Sequence, residues 1–180
     1  LFLVLSGGHV HNANGIDTIT SSCTGLAQSA AGTGCTQHTA LGYDQARKIM
    51  FGKMYLEQVG GVYAVKDVYC EQTFTDHDFN DKPSIGPGLI PTDGSVLNTE
   101  HTWPQSRFTS RFPKETQKSD LHHLFPSDSK MNSHRGNLRF GFVVEEIEKL
   151  KCPMGRLGHQ AEGGIIFEAP MNHRGNVARA

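Results

Sequence analysis

The region from Asn98 to Gly141 constrains the fold most strongly, because three kinds of local pattern follow one another within it. The apolar residues predict a short strand that ends near His101, a loop, and a second strand from Leu121 to Phe125. A helix is predicted to begin after Pro126. We therefore expect a unit with the order strand, strand, helix at about residues 96–141.

Patterns elsewhere add one helix, one strand and one long loop. From Tyr43 the apolar residues recur at helical spacing until Gly60-Gly61 ends the pattern. The segment from Val62 to Tyr69 is rich in valine and tyrosine, which predicts a strand. Three prolines and several glycines between Thr75 and Gly94 predict a long loop of a kind that is often functional.

The composition is that of a globular chain. Its 180 residues fit one domain, and the apolar fraction, with glycine counted and tyrosine left out, is about 46%, as in ordinary globular proteins. The longest uncharged apolar stretch, Leu1–Leu5, is far shorter than the roughly 20 residues of a membrane-spanning helix. We expect a single domain over residues 1–180 with no membrane span.

Charge is unevenly distributed along the chain. The net charge is −1, but residues 1–100 carry 10 acidic and 5 basic side chains, whereas residues 101–180 carry 8 acidic and 12 basic. An acidic partner would prefer the second half, although halves of small proteins often differ by a few charges.

The four cysteines form no CxxC pair of the kind that binds zinc or exchanges disulfides. Cys23 and Cys35 bracket a loop that a disulfide would close, and Cys70 pairs with Cys152 by elimination. Two disulfides predict a periplasmic or secreted protein. Four buried free cysteines are the alternative.

Two short motifs hold other candidate metal ligands. Residues 76–80 match the start of a calcium loop, but Asp81 stands where that loop needs glycine and Pro87 where it needs glutamate. Acids that stabilise a solvated turn are the alternative interpretation. His9 and His11 could bind a metal across one strand face, but no further ligand is close in the sequence.

The Asn98–Gly141 region holds the residue types that phosphodiester hydrolysis requires: a base for water, oxygen ligands for a hard cation, and a cationic group for phosphate. His101 can act as the base, because an imidazole is largely neutral at working pH. Glu100 and Asn132 offer oxygens that suit Mg²⁺. Adjacent strand residues face opposite sides, so Glu100 and His101 share a site only if the strand ends there.

The predicted helix adds a cation and a cap. Asn132 and Arg135 stand three residues apart and share a helix face, so Arg135 can lie beside a bound phosphate. It can equally brace the fold through carbonyls or a carboxylate. Ser127 or Asp128 can cap the helix.

Three segments together resemble the bacterial endonuclease I family, the periplasmic and extracellular non-specific nucleases of the ββα-metal, or His-Me finger, superfamily. These segments are Glu-His-Thr-Trp-Pro-Gln-Ser from Glu100, Ser-Asp-Leu-His-His-Leu-Phe-Pro from Ser119, and Asn-Ser-His-Arg-Gly-Asn from Asn132. The resemblance also covers residues 43–70 and 155–180. It implies an α+β fold with a ββα-metal core, additional helices and long loops.

The resemblance also implies roles for single residues. His101 would be the general base, Glu100 and Asn132 would bind the catalytic Mg²⁺, and His123 would support the site from the second strand. Mn²⁺ or Ca²⁺ could replace the magnesium.

An arginine from the intervening loop would contact the scissile phosphate. The loop offers Arg107 and Arg111, of which we favour Arg111, while its basic residues can otherwise form a solvated face. Two neighbours are expected to be structural: His122 should face away from His123, and Trp103 should pack in the core.

These observations predict a Mg²⁺-dependent endonuclease that hydrolyses DNA and RNA with little sequence preference and, as the resemblance implies, leaves 5′-phosphate ends. No recognition helix or zinc-finger pattern occurs, which favours contacts to the nucleic-acid backbone. The alternatives are a secreted, non-catalytic nucleic-acid-binding module of the same fold, and a structural zinc protein. We expect a monomer whose termini are both truncated, since the chain starts at Leu1 and residues 175–180 begin a helix.

Overall fold

A computed structural model of the protein describes residues 41–178 and, as backbone strands, residues 18–20, 27–28 and 35–37. Short helices alternate with small antiparallel sheets, so the fold class is α+β, as predicted. Strands β1 (Thr18–Thr20), β2 (Ala27–Gln28) and β3 (Cys35–Gln37) form one sheet in the order β1-β3-β2. No helix among the described residues is both long enough and apolar enough to cross a membrane.

The helix that begins at Tyr43 is shorter than the sequence predicts. Helix α1 (Tyr43–Ile49) passes into a π-helical turn (Met50–Met54), and strand β4 (Leu56–Val59) follows. Gly60 and Gly61 do not end a helix: with φ values of 59° and 85° they form the turn of a β-hairpin. A two-residue hairpin turn requires positive φ at both positions, which glycine supplies without strain.

The strand predicted at Val62–Tyr69 is confirmed for β5 (Val62–Lys66), which pairs with β4 and with β6 (Thr73–Thr75). Asp67 ends the strand, because its carboxylate accepts hydrogen bonds from the backbone N–H groups of Tyr69, Cys70 and Gln72. The same carboxylate accepts a bond from the N–H of Asp128. It therefore ties this turn to the next strand pair.

The long loop between Thr75 and Gly94 is confirmed, and its acids stabilise its own turns. Asp76 Oδ1 accepts bonds from the N–H groups of Ser84 and Ile85, each at 2.7 Å, while Asp78 caps a short helical turn at Thr75. The turn-acid interpretation accounts for both residues. Over the described ranges, no group of three or more acidic, histidine or cysteine side chains could hold a metal ion.

Strand β7 (Leu97–His101) pairs antiparallel with β8 (Leu124–Asp128), with His101 opposite Leu124. Helix α3 (Ser129–Arg135) follows at once, and Asp128 caps it by accepting bonds from the N–H groups of the second and third helical residues. The strand end at His101 and the helix after Pro126 are thus confirmed.

The second strand begins three residues later than predicted and continues through Pro126. Asp120 folds residues 120–123 into a turn, because its carboxylate accepts a bond from the N–H of His122 and its carbonyl one from the N–H of His123. Both strands of a two-stranded sheet are edge strands, and an edge strand tolerates a proline such as Pro126.

The C-terminal third forms another antiparallel sheet, ordered β11-β10-β9, from β9 (Glu145–Glu148), β10 (Arg156–His159) and β11 (Ile165–Glu168). Helix α4 (Arg174–Val177) follows, where the sequence predicts the start of a helix. Helix α2 (Lys114–Lys118) lies between β7 and β8.

Two buried apolar clusters hold these elements together. The larger joins the π-helical turn, β5, β7 and β8 through Met50, Val65, Leu97 and Leu124. The smaller surrounds the disulfide between Cys70 and Cys152, which confirms that pairing, and it includes Tyr69, Met131 and Phe167. The pairing expected for Cys23 and the metal site considered for His9 and His11 lie outside the described residues.

Candidate active site

A cavity of about 280 Å³ opens where β7 ends beside α3. Four of the six predicted site residues line the cavity: Glu100, His101, Asn132 and Arg135. The rest of the lining comes from β7 itself, from the segment after it and from the residues after α3, namely Thr99, Pro104, Gln105, Ser106, Gly136 and Asn137. Four of the ten residues that line the cavity were thus predicted from the sequence, whereas Arg111 and His123 do not line it.

Glu100 is a fully buried carboxylate, with 0% of its surface exposed. Its Oε1 lies 2.8 Å from Nη1 of Arg135, but neither oxygen accepts a regular hydrogen bond from any described residue. Burial raises its pKa to about 7, and the Arg135 charge and the Tyr69 hydroxyl oppose that rise. Glu100 therefore brings a buried carboxylate, ion-paired with Arg135, to the wall of the cavity.

His101 is held with one ring nitrogen fixed. Its Nε2 lies 3.1 Å from the backbone carbonyl oxygen of Lys118. A carbonyl only accepts hydrogen bonds, so Nε2 carries the proton and Nδ1 keeps its lone pair in the neutral ring. Burial, followed by the nearby His123, lowers the His101 pKa to about 4. The ring is therefore a neutral proton acceptor at physiological pH.

Aromatic side chains enclose the His101 ring. Tyr43 stacks on it at 5.6 Å between centroids, Phe108 lies edge-on at 6.2 Å and His123 lies at 5.5 Å. The Nζ of Lys118 sits 4.2 Å from the centre of the Tyr43 ring. These contacts fix the plane of the imidazole.

His123 supports His101 without lining the cavity. Its Nε2 donates to the carbonyl of Gln117 at 2.7 Å, and its own carbonyl accepts from the N–H and hydroxyl of Thr102. Burial lowers its pKa. It lies in the turn before β8, not on the strand, and His122 beside it is exposed, as expected, and bonded to Asp120.

Asn132 lines the cavity, and its amide is held through its nitrogen. Its Nδ2 donates to Asn98 Oδ1 at 2.6 Å and to the Thr99 carbonyl at 3.1 Å. No donor in the described part of the chain bonds its Oδ1. The amide is thus oriented with a free acceptor, as a metal ligand requires.

Arg135 is committed to protein groups. It is 2% exposed, and its Nη1 donates to the His101 carbonyl at 2.7 Å while Nη2 donates to the Thr102 carbonyl. This geometry favours the bracing alternative over a free phosphate contact.

The two loop arginines differ in position. Arg107 Nη2 donates to the carbonyl of Asn137, a residue of the cavity wall, at 3.2 Å. The Arg111 guanidinium lies over the exposed Phe112 ring, at 5.5 Å, and Arg111 does not line the cavity.

Trp103 is not a core residue, because 43% of its surface is exposed. The turn after β7 directs it outward.

The donor set fits Mg²⁺ better than zinc. The cavity offers one carboxylate and one amide oxygen, and Mg²⁺ typically binds few protein oxygens and keeps several waters. Structural zinc requires thiolates or several histidines. Cys70 and Cys152, the cysteines whose side chains the structure describes, are joined in the disulfide.

Some functional contacts were missed by sequence reasoning. The carbonyls of Lys118 and Gln117 orient the two histidines, and a backbone group leaves no signal in the sequence. Tyr43 was seen only as a helix start. Its stacking on His101 depends on the chain fold.

One of two comparisons with known proteins gives a match. The sequence profile of Endonuclease I matches residues 31–180, which is most of the chain and includes every residue of the cavity. A search of curated proteins gave no significant match. The chain belongs to the endonuclease I family.

Proposed function

We propose that this nuclease is a Mg²⁺-dependent, sequence-non-specific endonuclease of the ββα-metal type that hydrolyses DNA and RNA. The observation that carries the proposal is the convergence of Glu100, His101 and Asn132 on one cavity, where they supply a carboxylate, an imidazole and an amide. The strand pair β7–β8 followed by α3 supplies the framework.

Two residues would hold the metal. Glu100, through a carboxylate oxygen, and Asn132, through Oδ1, would bind Mg²⁺, which supplies, when bound, positive charge against the phosphate oxygens and the departing 3′ oxygen. A raised pKa keeps Glu100 partly protonated at neutral pH. Cation binding therefore competes with a proton.

His101 would act as the general base. Its Nδ1 accepts a proton from water while Nε2 stays bonded to the Lys118 carbonyl. The hydroxide attacks phosphorus in line with the 3′ oxygen, so the products carry 5′-phosphate and 3′-hydroxyl ends. Positive charge that forms on the ring is stabilised by the hydrogen bond from Nε2 to the Lys118 carbonyl.

One arginine of the loop would contact the substrate phosphate. Sequence resemblance favours Arg111, whereas the contact with Asn137 brings Arg107 to the cavity wall. Separate alanine substitutions distinguish them: the arginine that binds phosphate raises KM for DNA and flattens its salt dependence when removed. The other leaves both unchanged.

The disulfide between Cys70 and Cys152 supports action in the periplasm or outside the cell, where such bonds persist. We propose that the protein acts as a monomer, because a single chain supplies all the site residues named above. Sedimentation of the active protein tests this statement.

Glu100→Gln tests the metal-binding role, with Glu57→Gln at the exposed strand β4 as its matched control. The substitution removes charge but keeps shape, so cleavage in Mg²⁺ should fall at least about 100-fold, in line with metal-ligand roles in catalysis. Ligation of the products tests for 5′-phosphate ends. Equal activity of Glu100→Gln and Glu57→Gln would contradict the proposal, as would binding of nucleic acid without cleavage by the unmodified protein.

A further inference from the structure

Glu100 and His101 are adjacent in β7, yet both line the same cavity. In a regular strand, successive side chains point to opposite faces. Both residues are paired with β8, Glu100 with Phe125 and His101 with Leu124, so the strand register alone does not bring them together. The ladder is regular as far as His101, and the distortion that follows it is a bend at Thr102.

One guanidinium lies where this distortion occurs. Arg135 donates from Nη1 to the carbonyl of His101 and from Nη2 to the carbonyl of Thr102. In a straight strand, the carbonyls of consecutive residues point to opposite sides of the chain. A single planar guanidinium reaches both here, where the backbone bends at Thr102.

The guanidinium is itself held in place. It comes from the last residue of α3, is buried, and lies 4.6 Å from the centre of the Phe140 ring. Nη1 also faces Glu100 Oε1 at 2.8 Å. Arg135 therefore contacts the backbone of one site residue and the side chain of the other.

We propose that Arg135 is a positioning residue whose guanidinium holds the bend that follows β7 and thereby fixes the Glu100 side chain and the His101 backbone at the cavity. This inference rests on the proposed function. Arg135 acts through these two residues and not on the substrate. Its Nη1 and Nη2 donors are used by β7 and Glu100, and its Nε, which has no partner among the described residues, is buried.

The test is Arg135→Lys, with Arg174→Lys as the matched control. Arg174 likewise joins a carboxylate, that of Glu168, to a carbonyl, that of Ala169, but does not line the cavity. An ammonium keeps the charge but cannot span two carbonyls in a fixed plane. Mn²⁺ binding by calorimetry, kcat and KM for plasmid DNA, and the melting temperature are measured for each protein.

For folded Arg135→Lys we expect about 10- to 100-fold weaker Mn²⁺ binding and a similar fall in kcat, with KM for DNA unchanged, as for residues that orient metal ligands. Arg174→Lys should match the unmodified protein in both. Unchanged Mn²⁺ affinity and kcat in Arg135→Lys would overturn the inference. So would a raised KM with unchanged Mn²⁺ affinity, which would indicate a phosphate contact.

A second variant covers the case in which Arg135→Lys does not fold. Phe140→Leu removes the ring beneath the guanidinium and leaves Arg135 itself in place. Mn²⁺ affinity and kcat should both fall several-fold, and wild-type values would overturn the inference. If the unmodified protein neither binds Mn²⁺ nor cleaves, the proposed function fails; if it does both and only the Arg135 expectations fail, the proposed function stands.

Discussion

The orientation of two histidine rings at this site depends on hydrogen bonds to backbone carbonyl groups. The two histidines His101 and His123 each direct Nε2 to a carbonyl, of Lys118 and Gln117 respectively. Each carbonyl favours the tautomer in which Nε2 carries the proton and Nδ1 is unprotonated. Burial lowers both pKa values, so both rings resist protonation in the folded protein.

This resistance predicts a pH-dependent stability. In the unfolded chain His123 has a pKa near 6.5, while burial lowers it in the folded state. Below about pH 6.5 the unfolded chain therefore binds a proton that the folded chain does not, and the free energy of unfolding falls as the pH falls. His123→Gln removes this contribution, so its free energy of unfolding should fall less between pH 7 and pH 5.

Urea denaturation in EDTA at pH 7, 6 and 5 measures the effect, because EDTA removes any stabilisation by metal. His122→Gln is the control, since His122 is exposed. An equally steep fall in His123→Gln and the unmodified protein would refute the prediction.

For single residues, the sequence indicates which side chains suit the proposed chemistry, but it does not predict what surrounds each side chain. The chemistry of Glu100, His101 and Asn132 follows from their side chains. Whether Arg135 meets phosphate or carbonyls depends on how β7 bends, and Trp103 is exposed because of the turn that follows. Neither property is encoded locally.

At the scale of elements, the long loop rests directly on the π-helical turn after α1. The N–H of Gly88 donates to the carbonyl of Gly52 at 3.2 Å. A Cβ at Gly52 would lie 2.3 Å from the backbone nitrogen of Gly88, which cannot move as a side chain can. The absence of a side chain at residue 52 therefore permits this packing.

Gly52→Ala should lower the free energy of unfolding by about 3 kcal/mol, the upper range for overpacking a tight site. Gly94→Ala provides the control, because a Cβ there meets nothing within 4 Å. Chemical denaturation of both variants measures the difference. Equal stabilities would show that the loop does not pack against the turn in solution.

Asp67 makes a second connection between elements, from the turn after β5 to β8. Asp67→Ala leaves several N–H groups without acceptors, and each buried donor left unpaired lowers the free energy of unfolding by about 1–3 kcal/mol. We expect a loss of about 3 kcal/mol or more, measured by urea denaturation. Exposed Asp44 offers a control substitution, and a loss below 1 kcal/mol, within the usual range of surface substitutions, would contradict this role.

The types of the elements and some of their ends were predictable from the sequence, but other ends were not. The start of α1, the end of β7 and the beginning of α3 follow from periodicity and capping. The hairpin turn at Gly60-Gly61 was mistaken for a helix end, because glycine pairs occur in both. The late start of β8 follows from hydrogen bonds of Asp120, which a pattern of apolar residues does not show.

For the whole molecule, the disulfide joins distant parts of the chain. Cys70 follows the Asp67 turn and Cys152 precedes β10, 82 residues later. The bridge lies in the smaller apolar cluster with Tyr69 and Met131. It thus links the first half of the described chain to the C-terminal sheet, away from the cavity lining.

Replacing both cysteines with alanine should lower the free energy of unfolding by about 4.5 kcal/mol, from the loop-closure entropy of 82 residues. Urea denaturation measures this, and the double variant avoids reduction of any other bridge. Cleavage by the folded fraction should persist, because neither cysteine lines the cavity. Unchanged stability would contradict the bridge.

The most direct test of the account is cleavage of supercoiled plasmid and of total RNA, in Mg²⁺ and in EDTA, by the unmodified protein, His101→Ala and His122→Ala. His122 is a nearby exposed histidine outside the cavity. We predict cleavage in Mg²⁺ alone, lost by about 100-fold or more in His101→Ala, as for removal of a general base, and retained in His122→Ala. Cleavage in EDTA, or equal cleavage by the His101→Ala protein, would contradict the account.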